Sequence, residues 1–260
     1  MRNAFADEIN ELAFLHQDIV VLSGDIGNRL FDTFKKNHDK RFYNCGVAEA
    51  NMMGVAAGLG MSGFRPFVYT ITPFLTSRCY EQIKIDVCYH NAPVTIVGTG
   101  SGLSYAPLGA THHSLEDIAI MRVLPNMQVF APCDSLELRA VLKETVNRNS
   151  PSYIRIGKKG EKQFHTSEPK NVTEKPSLMK SGHDVVIVCA GTLMGEALSA
   201  ARLLDEQSVS TAVVSMPTVK PLNIDFVCDL SERFKLMVCV EEHWQTGWIW
   251  KCHRRHPCEF

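Results

Sequence analysis

The sequence predicts an α/β protein: a parallel sheet with helices on both faces, followed by a second, smaller α/β unit. Short apolar runs that fit buried strands alternate with helical stretches from residue 3 to residue 156, and this alternation is typical of parallel strands joined by helices. Residues 157–184 are then poor in apolar side chains and rich in Lys, Pro, Ser and Gly, after which the alternation resumes. We therefore expect a first domain at residues 1–160, a linker at 161–183 and a second domain at 184–260.

Local patterns predict each element in turn. Apolar residues at positions 5, 9, 12 and 13 indicate a first helix, and Pro73 is placed to open another, because proline fits the first turn of a helix. In the first domain the pattern predicts strands at 19–22, 66–69, 94–97, 127–131 and 153–156, and helices at 3–14, 73–89, 114–121 and 135–147, besides one that begins near residue 49. In the second domain it predicts strands at 184–190, 211–215 and 235–240 and a helix at 193–207.

Composition bounds the class of protein. The chain has 260 residues, of which 45% are hydrophobic, so it can form one large or two ordinary domains. A net charge of −1 without a basic stripe argues against binding to nucleic acid or to an anionic membrane surface. Nine cysteines without C-x-x-C pairs fit a reducing cytoplasm, and no apolar run reaches the roughly 18 residues of a membrane span. We therefore expect a cytoplasmic protein.

Residues 41–63 form the most distinctive stretch of the chain. A strand-like entry leads into an uncharged helix that begins near Glu49, and glycines at 54, 58 and 60 allow another backbone to approach it closely. We therefore expect a buried helix with one acid at its N terminus. Such an acid can simply complement the helix dipole, and this interpretation stays open while Glu49 is taken alone.

Four blocks, in order, carry a resemblance to a known family: residues 23–26, 41–63, 66–83 and 109–134. They resemble the pyrimidine-binding domain of the transketolase family of thiamine diphosphate enzymes, and the chain from residue 184 onwards resembles the C-terminal domain of that family. The resemblance therefore implies the two-domain α/β fold described above.

The resemblance also assigns roles at the cofactor. It implies that Glu49 shares a proton with N1′ of the cofactor's aminopyrimidine ring, and that Phe74 stacks on this ring. It places Asp25 and Ile26 beside the cofactor as well. Taken alone, Phe74 would equally fit a core position and Asp25 a turn.

The glycine-rich loop at residues 98–109 leads to His112 and His113. It lacks the spacing of a P-loop or a Rossmann turn, so we interpret it as an active-site wall. The resemblance implies that His112 contacts the substrate and moves protons, which suits an imidazole near neutral pH, and His113 is a weaker candidate for substrate contact. No third ligand lies at zinc-like spacing from these histidines, so no metal site is expected on this chain.

Three positions depart from the pattern of sugar-phosphate transketolases. Leu108 stands where an acid usually reads a substrate hydroxyl, Gly100 replaces a phosphate-binding histidine, and Lys158 follows a glycine where the family has Ser-Arg. Lys158 can still contact an anionic substrate as a point charge, although it lacks the bidentate fork of arginine. The usual pentose phosphates are therefore in doubt as substrates.

The family also needs a domain that binds diphosphate through a GDG-to-Asn signature, and this sequence does not contain one. Either a separate N-terminal subunit supplies that domain, or the sequence is a fragment. We expect the first, with Mg²⁺ held by that subunit and the present chain associated with itself as well, which gives an α₂β₂ assembly. The cofactor would then lie between the two kinds of chain.

The C-terminal residues 248–260 are rich in aromatic and basic side chains, a composition that no earlier part of the sequence shows. Removing one base from the codons after residue 247 restores a small-residue helix start that family members show after Glu-Glu-His. We therefore hypothesise that this segment is out of frame and that the second domain is incomplete, while a natural exposed tail remains the alternative.

The function expected from these observations is that of the C-terminal, β-type subunit of a split transketolase, which transfers a two-carbon ketol unit between sugars or sugar phosphates with thiamine diphosphate. The enzyme alternatives are a 1-deoxyxylulose-5-phosphate synthase relative and the E1 β subunit of a 2-oxo acid dehydrogenase. A third alternative, from another class, is a non-catalytic, truncated partner subunit.

Overall fold

The computed structural model describes residues 1–27 and 29–247, so the hypothesis about the reading frame of residues 248–260 lies outside the described residues. The strands are β1 Ile19–Ser23, β2 Phe42–Asn44, β3 Arg65–Ile71, β4 Thr95–Thr99, β5 Gln128–Phe130, β6 Ser152–Ile156, β7 Ser177–Lys180, β8 Val185–Ala190, β9 Thr211–Ser215, β10 Thr218–Lys220 and β11 Leu236–Glu241. The α-helices are α1 Arg2–Leu15, α2 Asp32–Asn37, α3 Glu49–Met61, α4 Thr72–Leu75, α5 Tyr80–Gln82, α6 Asp117–Arg122, α7 Ser135–Thr145, α8 Met194–Glu206 and α9 Ile224–Arg233. Among the described helices, none combines the length and the apolar character that a membrane crossing requires.

Two sheets organise these elements. The first has seven strands in the order β10-β5-β6-β4-β3-β1-β2, and its neighbours are parallel except for β10, which runs antiparallel to β5. The second has four strands in the order β11-β8-β9-β7, in which β7 is antiparallel to β9. The predicted α/β fold with a smaller second unit is therefore confirmed.

Apolar side chains fill the space on both faces of the first sheet. Phe5 of α1 stacks on Tyr69 of β3, with ring centroids 5.5 Å apart, and α7 packs on the same side through Leu138. Met52 and Met53 of α3 are fully buried in a separate apolar cluster that also contains Leu22 of β1. Helices therefore cover both faces, as expected for a parallel sheet.

Two short strands were not predicted. β7 lies inside the segment assigned to a linker, and β10 returns from the second half of the chain to the edge of the first sheet. Both are antiparallel strands of three or four residues, which are too short to carry a periodic signal.

The helix predicted at 73–89 is interrupted. Residues 76–79 form a turn between α4 and α5, and the Ile83–Tyr89 segment continues as a π-helix. The hydroxyl of Thr76 donates a hydrogen bond to the carbonyl of Thr72 at 2.9 Å, and the backbone N–H of Arg78 donates to the carbonyl of Pro73 at 3.3 Å. Side chains such as Thr compete in this way with regular helix bonding. The turn directs Arg78 towards the N terminus of α3.

Helix α3 was expected to be buried, and in this chain it is buried on one side only. A Cβ added at Gly60 would lie 3.3 Å from Pro93 Cδ, so this glycine allows the close approach that the sequence predicted. Val55 and Met61 are nevertheless 44% and 56% exposed, and a Cβ at Gly58 would meet no atom within 4 Å. One apolar face of α3 is therefore open to a partner.

Candidate active site

The predicted site residues gather at the carboxyl ends of neighbouring parallel strands. Asp25 and Ile26 follow β1, Phe74 follows β3 within α4, and His112 lies in the loop after β4. The pairing of β1 with β3 and of β3 with β4 places these three segments side by side. This edge is where open α/β sheets bind their ligands.

Glu49 occupies the first turn of α3 and its side chain is 2% exposed. A Cβ added at Gly24 would lie 3.3 Å from Glu49 Cγ and 3.1 Å from Thr70 Oγ1, so the absence of a side chain at Gly24 makes room for the acid. Glu49 Oε2 accepts a hydrogen bond of 2.7 Å from Arg78 Nη1. The sheet thus encloses the Glu49 carboxylate on one side, and the half-exposed Arg78 contacts it from the other.

Arg78 and Phe74 form the next contact. The guanidinium carbon of Arg78 lies 4.4 Å from the centroid of the Phe74 ring, which is cation–π geometry. The Arg78 side chain is 46% exposed, so the guanidinium can leave this position without breaking the core. The planar guanidinium of Arg78 therefore lies between the Glu49 carboxylate, which accepts its hydrogen bond, and the face of the Phe74 ring.

His112 also contacts Phe74. The two rings meet edge to face with centroids 5.0 Å apart, and the hydroxyl of Thr111 lies 3.0 Å from His112 Nδ1. Tyr105 contacts His112 as well, at a centroid distance of 5.9 Å. This half-buried imidazole therefore faces both the aromatic ring and the wall formed by the glycine-rich loop.

The predicted substrate residues divide into two groups. Lys158 Nζ lies 4.4 Å from the Tyr105 ring centroid, which connects it through Tyr105 to His112. His113 instead donates from Nε2 to the carbonyl of Ala106 at 3.3 Å and closes the loop on itself. At Gly100 (φ +75°) an added Cβ would lie 2.0 Å from Tyr105, so this tyrosine takes the space of the histidine that the family pattern places there.

Asp25 lies at the rim of the site. Its backbone has φ +55°, a left-handed conformation that is uncommon outside glycine, and its Oδ1 accepts a hydrogen bond of 2.9 Å from Asn44 Nδ2. The hydroxyl of Ser23 donates to the carbonyl of Ile26 at 2.9 Å, which fixes the turn. Strained backbone held by such contacts is typical of functional loops.

Beneath the loop lies a buried charged cluster. Asp117 Oδ2 accepts hydrogen bonds from the Tyr153 hydroxyl at 2.6 Å and from Arg155 Nε at 2.8 Å. Arg155 Nη2 donates in turn to the carbonyls of Ser114 and Glu242, at 3.1 and 2.8 Å. Arg155 and Asp117 are 2% and 0% exposed, so this ion pair fastens the His112 loop to both β6 and the end of β11.

Cys79 sits behind the site as a neutral thiol. Burial, reinforced by the charge of Glu49, raises the pKa of this thiol to about 12, and its S–H donates to the carbonyl of Phe74 at 3.3 Å. A thiol of this kind is not a nucleophile at neutral pH.

Three residues of the site were not predicted: Arg78, Tyr105 and Glu242. Neither Arg78 nor Tyr105 stands at a spacing that marks a contact with Phe74 or His112. Glu242 holds the loop by accepting a hydrogen bond of 2.9 Å from the Leu103 N–H. Its position just beyond a predicted parallel strand was an available signal, because ligands bind at that end of a sheet.

Comparison with known proteins places this geometry in a family. Residues 1–160 match the family model described as transketolase, pyrimidine binding domain, and residues 175–249 match the one described as transketolase, C-terminal domain. The chain belongs to the transketolase family. The resemblance inferred from the four sequence blocks is thereby confirmed.

Relatives within the transketolase family include chains of similar length. A subunit of the apulose-4-phosphate transketolase of Phocaeicola vulgatus is 34% identical over 248 residues, which cover 95% of this chain and 80% of the relative. A subunit of the 6-deoxy-6-sulfo-D-fructose transketolase of a Clostridium species is 35% identical, with coverage of 93% and 75%. A solved split-gene transketolase, described as an inactive β4 tetramer, matches with a TM-score of 0.87 and 35% identity, over 95% of this chain and 80% of that one. The chain thus corresponds to the second subunit of a split transketolase.

The transketolase family depends on thiamine diphosphate, and the site fits the aminopyrimidine end of this cofactor. Glu49 and Phe74 already accommodate a planar group that donates from nitrogen to the carboxylate and lies against the ring, namely the Arg78 guanidinium. An aminopyrimidine ring is likewise flat and bears ring and amino nitrogens. The same acid and the same ring can therefore hold it.

Proposed function

We propose that this chain transfers a two-carbon ketol unit between sugars or sugar phosphates as the C-terminal subunit of a split transketolase, and that it is active only with a partner subunit. The observation that supports this proposal is that Glu49, Phe74 and His112 lie in one line, in which the Arg78 guanidinium occupies the place between Glu49 and Phe74 that we assign to the aminopyrimidine ring. Thiamine diphosphate supplies the carbanion stabilisation that cleavage of a ketose C–C bond requires.

Each residue of the line has a defined task in this proposal. Glu49 shares a proton with N1′ of the aminopyrimidine ring from a position closed to water on the sheet side. Phe74 orients the ring by stacking, and Asp25 and Ile26 border the cofactor at the end of β1. His112 moves a proton at the hydroxyl groups of the sugar.

The partner subunit completes the cofactor site. We infer that it carries the diphosphate-binding domain with Mg²⁺ and covers the open apolar face of α3, where Val55 and Met61 are exposed. Nearby on the π-helical segment, Ile85 and Tyr89 are 45% and 78% exposed and extend the apolar surface. Contiguous exposed apolar side chains of this kind mark protein interfaces. The solved β4 relative, described as inactive, supports the need for a second subunit.

The substrate is proposed to be an anionic sugar. Lys158 is half-buried, and its Nζ lies against the Tyr105 ring, which in turn contacts His112. Its positive charge is therefore placed near the histidine that we assign to the substrate. Gly100 and Lys158 stand where the family pattern has a histidine and an arginine, and Tyr105 lies against both, so the anion meets a point charge and an aromatic wall. Relatives named for a 4-phosphate sugar and for a sulfo sugar support a negatively charged end group.

The proposal is tested by calorimetric titration of thiamine diphosphate with Mg²⁺ into this chain assembled with a subunit that carries the diphosphate-binding domain. We expect saturable binding and ketol transfer by the assembly, and neither by this chain alone. Assembly without cofactor binding would contradict the proposal and favour a non-catalytic subunit. Release of pyruvate-derived CO₂ without ketol transfer would favour a deoxyxylulose-phosphate synthase.

Arg78→Met is expected to tighten cofactor binding by the assembly. The guanidinium takes the Glu49 oxygen and the Phe74 face that the aminopyrimidine ring requires, so it must leave before the cofactor can bind. In the unsubstituted assembly, displacing Arg78 breaks a half-exposed ion pair and a cation–π contact, which costs on the order of 1 kcal/mol. The variant does not incur this cost, so its Kd for the cofactor should be about fivefold lower.

Arg233→Met is a matched control for this titration, because Arg233 also pairs with a carboxylate, Asp229 at 2.8 Å, and lies 5.7 Å from the ring of Phe234. It sits on α9, away from the cofactor residues, and should leave the Kd unchanged. Weaker cofactor binding in Arg78→Met would show that Arg78 supports the bound cofactor rather than competing with it.

A further inference from the structure

A second cluster of chemically active side chains lies where the start of α7 meets the segment after β6. Cys133, Glu137 and His165 each direct one ligand-type atom into the same space, and these atoms all lie within 4.8 Å of one another. Cys133 is 1% exposed, and the side chains of Glu137 and His165 are 0% and 9% exposed. The cluster shares no residue with the contacts around Glu49.

The imidazole of His165 is oriented as a metal ligand. Its Nδ1 donates a hydrogen bond of 2.9 Å to Asp134 Oδ2, and the same oxygen accepts the backbone N–H groups of Phe164 and His165, each at 2.8 Å. His165 Nε2 is buried and has no hydrogen-bond partner. A carboxylate that fixes one imidazole nitrogen while the other faces a metal is a recurrent arrangement in metal sites.

Glu137 presents a buried carboxylate to this nitrogen. Its oxygens accept hydrogen bonds from the Cys133 N–H at 2.7 Å and from the Ser215 hydroxyl at 2.8 and 3.1 Å, all of them neutral donors. Glu137 Oε1 lies 3.9 Å from His165 Nε2, which is beyond hydrogen-bond distance. Glu137 Oε1 and His165 Nε2 therefore face each other across a gap that no hydrogen bond closes.

The spacing fits a tetrahedral ion after a small inward movement. Zinc bonds of about 2.0 Å to nitrogen or oxygen and about 2.3 Å to sulfur place neighbouring ligand atoms about 3.3 to 3.5 Å apart. The three ligands would carry two negative charges, one from the Cys133 thiolate and one from Glu137, which neutralise a divalent ion. A cleft of about 380 Å³, also lined by Glu196, leads to the Cys133 side of the cluster.

We propose that Cys133 Sγ, Glu137 Oε1 and His165 Nε2 bind a zinc ion, with water as the fourth ligand. The ion fastens the segment after β6 to the start of α7, and through Ser215 it borders β9 of the second sheet. Sequence spacing does not reveal the site, because His165 comes from a separate segment 28 residues after Glu137.

Cobalt titration of the full chain tests this site, because Co²⁺ replaces zinc and gives a thiolate charge-transfer band in the near ultraviolet when cysteine is a ligand. We expect the band to saturate at one equivalent and to disappear on addition of zinc. Cys133→Ser should abolish the band and weaken Co²⁺ binding about a hundredfold or more. His165→Asn should do the same.

Cys189→Ser is the matched control, because Cys189 is buried in the same apolar cluster as Cys133 and is a free thiol outside the proposed ligand set. It should retain the band. Metal held by Cys252, His253, His256 or Cys258, which lie outside the described residues, would add the same background band in every variant, so the signal of the site is the difference between the unsubstituted chain and Cys133→Ser. No band in the unsubstituted chain, or an undiminished band in Cys133→Ser, would overturn the proposal and leave His165 as an imidazolium between two carboxylates.

Discussion

Glu49→Gln is expected to lower kcat of the assembled transketolase about 10²- to 10⁴-fold, the range that a positioned proton-transfer group contributes. Gln has the shape of Glu and can still bond to a ring nitrogen, but it cannot share a proton with N1′. The side chain is 2% exposed, so water has little access from which to replace the lost carboxyl group. Steady-state kinetics at saturating thiamine diphosphate measures the effect on kcat separately from cofactor binding.

The same substitution should barely alter folding stability. Arg78, the partner of Glu49, is 46% exposed and can be solvated once the carboxylate is gone, so we expect a loss of less than about 1 kcal/mol. Glu232→Gln, an exposed site on α9, is the control for a general effect of neutralising an acid. Full activity of Glu49→Gln would rule out the proton-sharing role, and a loss of activity explained by unfolding would be seen in the melting curve.

Asp117→Ala is expected to give the largest loss of stability among single substitutions near the site, about 3–5 kcal/mol. It leaves the Arg155 charge buried without its anion, and it also removes the acceptor of the Tyr153 hydroxyl. For a chain of this length the melting temperature should fall by about 10 °C. Differential scanning calorimetry and denaturant titration measure this loss.

Asp225→Ala provides the comparison, because Asp225 also stands in the first turn of a helix but is exposed. Its removal should cost less than about 1 kcal/mol, the usual contribution of an acid to the helix dipole. Adding Arg155→Met to Asp117→Ala removes the stranded charge and should restore part of the stability. Equal losses at Asp117 and Asp225 would refute a stabilising role for the buried pair.

The central elements of the fold could be predicted because their signals are local. β1 and β8 are almost continuous apolar runs, β3 and β4 have buried apolar centres, and α7 has both helical periodicity and Asp134 as an N-cap. β7 and β10 could not be found in this way, because their pairing depends on partners far along the chain. The break at residues 76–79 was not predicted, because the sequence pattern there is helical. The turn instead depends on the hydrogen bonds of the Thr76 hydroxyl and the Arg78 N–H.

The site residues likewise divide into those that local sequence signals could identify and those that depend on the fold. Glu49, Phe74 and His112 were identified from sequence blocks, and the structure brings them into one line of contacts. Arg78, which joins two of them, was not identified, because its role depends on the direction that the turn gives to its side chain. The roles of all the predicted site residues stay predictions that the kinetics of single variants can check: Glu49, Phe74, His112, Asp25, Ile26, His113 and Lys158.

The antiparallel strand β10 has a consequence for how the protein can be divided. It comes after β8 and β9 of the second sheet, yet it pairs with β5 at the edge of the first. A fragment that ended near residue 160 would leave β5 as a bare sheet edge, and its unsatisfied N–H and C=O groups would recruit strands from other molecules. The two family domains are therefore not detachable modules, and grafting or truncation must keep Thr218–Lys220 with the sheet that it seals.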